Sequence, residues 1–159
     1  MSIQKLNCII KEMLETHKGG HVFFDNLDKA LQDESILDLL IEKIPENKSI
    51  AVSGKFGLFF MGYYYAKINN NKNIIHFPGG LRNNKPEILI PKNHIEGRKF
   101  IFIDDSFYLG RTRDKIKEYI ENRSGSLNHT FVIYDGSRNI DLNVSSLYRY
   151  YWENLYRKI

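Results

Sequence analysis

The chain has 159 residues, 42% hydrophobic and 26% charged, with a formal net charge of +4. That is enough for one globular domain with its own core, and the balance is that of an ordinary soluble protein. Its single cysteine, Cys8, excludes an internal disulfide and a cysteine-built metal cluster, and suits a reducing, cytoplasmic setting. No apolar run approaches the roughly 20 residues of a membrane span, so no membrane partner is expected. The mild basic excess suits small phosphorylated ligands as well as nucleic acid. With no recognisable binding module, nucleic acid is not expected as a partner.

In chain order, Ile3, Leu6, Ile9, Ile10, Met13 and Leu14 fall at helical spacing, and the charges among them mark an amphipathic helix rather than a signal peptide. "HVFFD" (21–25) is a short extended piece, and "DESILDLLIEKI" is a helix from an Asp33 cap. "SIAVSG" (49–54) is a buried strand and "LFFMGYYYAKI" (58–68) a buried helix, with a loop between them. "IIHF" (74–77) is a strand, and "PGGLRNNKP" (78–86) a loop rich in breakers. "EILIP" and "KFIFID" are strands joined through Asn93 to Gly97. "TRDKIKEYIEN" (112–122) is a helix, "HTFVIYD" (129–135) a strand, and "SSLYRYYWENLYRKI" an aromatic C-terminal helix. No internal repeat occurs.

Strands alternating with helices predict an α/β fold with a doubly wound, mainly parallel sheet. Ligands bind such sheets beyond the carboxyl ends of the strands, where the winding reverses. Three loops should therefore gather there: Gly54 to Gly57, Ser106 to Thr112, and Asp135 to Arg138.

The stretch "FIFIDDSFYLGRT" (100–112) is a buried strand running through two carboxylates into a turn and a helix. Backbone N–H groups at a helix start lack intrahelical partners and, with the helix dipole, attract phosphate. Gly110 lets the backbone approach an anion, Thr112 brings a hydroxyl and Arg111 a charged fork. Asp104 and Asp105 would repel that anion if they entered the same turn. They make sense as acceptors for the hydroxyls of a sugar whose phosphate occupies the turn, and as stabilisers of a ribose that gains positive charge.

This stretch resembles the phosphoribosyl pyrophosphate (PRPP) motif of type I phosphoribosyltransferases. The resemblance implies that Asp104 and Asp105 bind the ribose 2′ and 3′ hydroxyls, and that Tyr108, Leu109, Gly110, Arg111 and Thr112 form the 5′-phosphate loop after the spacer Ser106-Phe107. Leu109 replaces the family's threonine, removing one hydroxyl donor. Tyr108 stands where some purine-specific members keep an acidic residue. "IAVSGKFGLFFMGYYYA" is similar to the family's first strand, pyrophosphate loop and helix, with Ser53, Gly54, Lys55, Phe56 and Gly57 in the loop and Lys55 facing the pyrophosphate. "KGGHVFFDNLDKALQDESILDLLIEKI" resembles the N-terminal region of orotate-type members, which places Phe23 and Phe24 near the base. "FPGGLRNNKPEILIPKNHIEGRKF" has the length and position of the family's closing loop and hairpin, with Arg82 and Lys85 as its cations. Orotate-type members carry more lysines and a histidine in that loop. They also have an arginine directly after the aspartate of the next strand; here Asp135 is followed by Gly136, and Arg138 is the candidate substitute.

What the resemblance implies is a single phosphoribosyltransferase-like domain over 1–159, with a small hood from about 1–30, to which the C-terminal helix is a candidate addition, and a flexible hairpin loop. The implied activity is transfer of 5-phosphoribosyl from PRPP to a nucleobase or related nitrogen acceptor, orotate-like in flavour, with release of pyrophosphate. Asp104, Asp105 and Lys55 would carry catalysis. Mg2+ would be held through PRPP, with Asp104 and Asp105 as the nearest protein groups. No general base is assigned, and a homodimer is compatible with the family's habit.

Each reading has a plainer rival. The acidic pair also suits a solvated strand end with a helix cap, and Lys55 and Arg111 suit a surface. Tyr134, Tyr148, Tyr150, Tyr151, Trp152 and Tyr156 suit core or interface better than base stacking. His17, His21, His76, His94 and His129 show no metal-ligand spacing. The departure at Leu109 motivates an alternative: a catalytically inactive PRPP- or nucleotide-binding regulatory protein. A third reading is an interaction module docking through its aromatic C-terminus.

Overall fold

A computed structural model describes Gln4, Cys8 and residues 34–68, 72–78 and 90–151. Five strands form one all-parallel sheet: β1 Ser49–Ser53, β2 Ile74–Phe77, β3 Lys99–Phe107, β4 Ser126–Asp135 and β5 Val144–Arg149, in the order β2-β1-β3-β4-β5. Three described helices accompany them: α1 Glu34–Ile41, α2 Gly54–Ile68 and α3 Arg111–Glu121. The predicted α/β doubly wound architecture is the observed one.

Handedness explains which helix covers which face. From β1 the chain steps one way to β2, and from β3 it steps the other way to β4. Right-handed crossovers must therefore put α2 and α3 on opposite faces. The pleat follows suit, since successive strand residues point to opposite sides. Ile50, Val52, Ile101, Ile103 and Ile133 pack with Phe56, Phe60 and Tyr64 of α2 and with Ile36, Leu37 and Leu40 of α1. Ala51, Ile75, Phe77, Phe100, Phe102 and Leu127 pack with Ile116 and Ile120 of α3. Covered on both sides, β1 is buried at every position, as a central parallel strand must be. Outside the sheet, α1 is tied to α2 where Tyr63 Oη donates to Asp38 Oδ1 at 2.8 Å and Lys67 Nζ to Asp38 Oδ2 at 2.9 Å.

Two expectations are corrected. Residues 54–57 are not a loop: α2 begins at Gly54. Gly54 starts it in the left-handed region (φ 62°), a conformation glycine adopts without penalty. The second correction concerns 145–149, which belong to an edge strand, β5, rather than to the start of a C-terminal helix. Its pairing with β4 runs from Thr130↔Val144 to Asp135↔Arg149. Backbone pairing with an otherwise open β4 edge outweighs the helix-like spacing of the aromatic residues. The start of β4 also lies earlier than expected, at Ser126, with a bulge opposite Phe100 and Ile101. The expected pieces at 3–16 and 21–25, and the chain beyond 151, lie outside the described residues save Gln4 and Cys8, which are helical and exposed; of the strand expected at 87–91 only Ile90 and Pro91 are described, and they lie in no strand.

Candidate active site

Strands β1 and β3 lie side by side, and their crossovers leave in opposite directions, so the crevice of this fold opens above their carboxyl ends. There Ser53, the last residue of β1, donates from Oγ to Asp104 Oδ2 at 3.3 Å. The Asp105 N–H donates to Asp104 Oδ1 at 3.1 Å, and Ser106 Oγ to Asp105 Oδ1 at 2.9 Å. Neither aspartate lies in a turn. Strand β3 continues to the buried Phe107, and Asp104, Asp105 and Ser106 are the half-buried residues just before it. By the pleat, Asp104 continues the row of Phe100 and Phe102, whereas Asp105 continues that of Ile101 and Ile103. The carboxylates therefore leave the strand end in opposite directions and hold fixed orientations.

The turn itself is short. Only Tyr108, Leu109 and Gly110 separate β3 from α3. Gly110 is the N-cap at φ 70°, ψ 4°, with no side-chain cap, and the Asp114 N–H donates to its carbonyl at 2.8 Å. Helix geometry leaves the N–H groups of Arg111, Thr112 and Arg113 without intrahelical acceptors, which makes this a place for an anion. Arg111 is exposed and Thr112 half-buried. Leu109 is 49% exposed, so a hydrophobic side chain stands on the turn. Phe107 is buried and supports the turn from behind, with the Arg113 guanidinium 5.0 Å above its ring. That guanidinium donates from Nε to Asp114 at 2.8 Å and from Nη1 to Asp141 at 2.5 Å. Burial opposes the Arg113 charge, and the two carboxylates outweigh it, so its pKa is raised. Asp141 is held below its ordinary value, chiefly by the Arg113 hydrogen bond.

Beside it stands a second helix start. Lys55 is exposed on the first turn of α2, while Phe56 sends its side chain into the core and leaves its backbone N–H for the crevice. A Cβ on Gly57 would lie 2.9 Å from Val52 Cβ and 3.0 Å from its carbonyl carbon, so glycine lets α2 lie directly on β1. Two helix N-termini thus flank the acidic pair, one on each face of the sheet.

The third loop follows β4. The Asp135 carboxylate is 6% exposed and accepts from Arg149 Nε at 3.1 Å and from the Ser137 N–H at 2.8 Å, while Arg149 Nη2 donates to the Ser137 carbonyl at 3.1 Å. Arg149 is therefore the ion-pair partner of Asp135; Arg138, the candidate substitute for the family's arginine, is exposed. A helix over 145–159 gives no sign of this pair, because the two residues are opposite one another only in the parallel register. Tyr108 folds toward this loop, its ring edge-on to Tyr134 at 5.6 Å, and a Cβ on Gly136 would sit 2.6 Å from Tyr108 Cε1. The Gly136 N–H donates to the Phe107 carbonyl at 2.9 Å, which joins the second and third loops. The segments Ser106 to Thr112 and Asp135 to Arg138 meet as expected, while 54–57 is the first turn of α2 and the Ser53–Asp104 hydrogen bond ties the strand ends beside it. Phe23, Phe24, Arg82 and Lys85 lie outside the described residues.

No protein-family model matches the chain, and no curated protein matches it in sequence. Solved structures do match it in fold. Orotate phosphoribosyltransferase from Aeropyrum pernix superposes with a TM-score of 0.56 at 14% identity, covering 79% of this chain and 74% of that one. Adenine phosphoribosyltransferase from Rhodothermus marinus gives 0.54 at 12% identity (74% and 78% covered). Hypoxanthine-guanine phosphoribosyltransferase from Bacillus anthracis gives 0.51 at 18% (77% and 78% covered). The fold of this chain is that of the type I phosphoribosyltransferases.

Proposed function

We propose that the chain binds PRPP and transfers its 5-phosphoribosyl group to a ring nitrogen of a nucleobase or a related nitrogen acceptor, releasing pyrophosphate. One observation carries this reading: the Ser53–Asp104 hydrogen bond ties the ends of β1 and β3 at the reversal of the sheet, with the N-termini of α2 and α3 on either side. A sugar bearing a phosphate at one end and a diphosphate at the other matches an acidic centre between two anion-binding helix starts. The 5′-phosphate would take the Gly110 to Thr112 turn, the ribose hydroxyls Asp104 and Asp105, and the diphosphate the first turn of α2 with Lys55.

In the reaction the bond from the anomeric carbon to the diphosphate oxygen breaks and its electron pair leaves with the pyrophosphate. The new bond forms with the lone pair of the acceptor nitrogen. The carbon gains positive charge between these events, and Asp104 and Asp105 lie where a negative field stabilises it. Lys55 and the α2 N–H groups would neutralise the departing charge. Holding both ends of the donor would contribute most of the rest through orientation.

Mg2+ fits the donor set as a hard cation that keeps its waters and binds mainly through phosphate oxygens. Among the described residues no group of three or more His, Cys, Asp and Glu side chains gathers to hold a metal, so the protein's contribution would be Asp104 and Asp105. Bound with PRPP, the ion would supply charge neutralisation on the diphosphate.

Calorimetry with PRPP and magnesium tests binding; Asp104→Asn with Asp105→Asn should weaken it by about tenfold or more. Unchanged affinity would place the ligand elsewhere. The exposed Leu109 side chain on the turn favours a second reading, a PRPP or nucleotide binder without transferase activity. Pyrophosphate release across a panel of bases separates the two, since a binder releases none.

A further inference from the structure

The Gly54–Lys55 peptide is where the α2 anion site is set. Gly54 has φ 62°, and nothing lies within 4 Å of the position its Cβ would take. Glycine in open space offers several backbone conformations at little cost, so side-chain packing does not hold this peptide. Beside the backbone ladder of α2, which begins at this residue, one side-chain hydrogen bond does. His76 on β2 is half-buried, opposite Val52 in the register, and its Nε2 is 2.8 Å from the Gly54 carbonyl oxygen. A carbonyl can only accept, so Nε2 must carry the proton. Both the Nε2–H neutral tautomer and the imidazolium meet that requirement.

The consequence lies one atom further on. In a trans peptide the C=O of one residue and the N–H of the next point in opposite directions. With the Gly54 oxygen drawn toward His76 on the β2 side, the Lys55 N–H is turned away from β2 and out of the sheet end. That N–H is the first of the α2 donors that would meet a diphosphate.

We infer that His76 is a positioning residue: it fixes the Gly54–Lys55 peptide so that the first turn of α2 presents its N–H groups to the diphosphate. The inference rests on the phosphoribosyl reading above. It touches only one end of the ligand, because α3, whose start the 5′-phosphate would take, packs on the opposite face of the sheet from His76.

That asymmetry is the test. Binding of PRPP, of inorganic pyrophosphate and of ribose 5-phosphate, each with magnesium, is measured for wild type, His76→Leu and His76→Gln. The glutamine amide nitrogen reaches the position of Nε2 and keeps a donor there. A lost positioning hydrogen bond should weaken PRPP and pyrophosphate by roughly 5- to 20-fold in His76→Leu, with ribose 5-phosphate changed less than about twofold. His76→Gln should recover most of the loss. Equal weakening of all three ligands, or wild-type affinity in His76→Leu, would overturn the inference while leaving the phosphoribosyl reading intact. Wild-type protein that bound none of the three would sink both. Thermal unfolding of each variant guards against misfolding, since the expected split between ligands cannot arise from a general loss of structure.

Discussion

Three glycines at the crevice separate backbone strain from crowding. Gly54 has a positive φ and open space, Gly57 has helical geometry and no space, and Gly110 has both a positive φ and close neighbours. Alanine at 54 pays only for the left-handed conformation, about 1–2 kcal/mol, less about 0.4–1 kcal/mol gained by stiffening the unfolded chain; a net loss near 1 kcal/mol follows. Alanine at 57 gains helix propensity of about 1 kcal/mol but drives its Cβ into Val52 side chain and backbone. Lifting α2 from β1 costs about 1–3 kcal/mol, so the net is about 1 kcal/mol or somewhat more. At Gly110 the added Cβ would be 3.0 Å from Arg113 Nη2 and 3.1 Å from Phe107 Cζ. Arg113 is not free to retreat, because Asp141 and Asp114 hold it. Strain and crowding then add to about 2–5 kcal/mol, less the same unfolded-chain gain of about 0.4–1 kcal/mol. Urea unfolding with linear extrapolation resolves such differences. If Gly110→Ala were no more costly than Gly54→Ala, the account of the turn as wedged between Phe107 and Arg113 would be wrong.

Arg149→Met should destabilise by about 1–3 kcal/mol, the lower part of the range for a broken ion pair because the arginine is partly exposed; Asp135→Asn with Arg149→Met should cost less than the arginine change alone, and a larger loss in the double variant would refute the pairing. Acid should weaken the fold in two steps. His129 is depressed by burial, so its contribution is complete above the unfolded value of about 6.5 and is lost as pH falls through the lower folded value. Asp141, depressed chiefly by Arg113, adds a second loss at lower pH as its folded value is passed. His129→Asn should remove the upper step only, and stability that stayed flat from pH 7.5 to the onset of carboxylate protonation in wild type would contradict this.

The fold was legible where chemistry and periodicity agreed. "SIAVS" and "KFIFI" are too apolar and too short to be anything but buried parallel strands, and the acidic pair after the second marks the crevice whatever the protein does. What escaped had a physical cause in each case. Gly54 and Gly57 look like loop punctuation, yet one starts a helix and the other lets it touch β1. The edge strand β5 escaped because Leu147, Tyr148, Tyr150 and Tyr151 fall at helical spacing and the strand shows no alternation of burial; only the open edge of β4 decides for a strand. With β5 misread, Arg149 could not be matched to Asp135. His76 was legible as a residue but not as a contact, since nothing local announces that β2 ends beside Gly54.

Because the two crossovers lie on opposite faces, α2 is rooted in one hydrophobic cluster and α3 in the other, while Tyr108 of the turn before α3 packs on the α2 side. The sheet is the partition between them, and Asp104 and Asp105 stand on its rim. A ligand spanning both helix starts would therefore load both cores at once, across the Ser53–Asp104 tie on the rim. Leu109 stands on the α3 side of that span, so its effect on a bound ligand is expected there rather than at the first turn of α2.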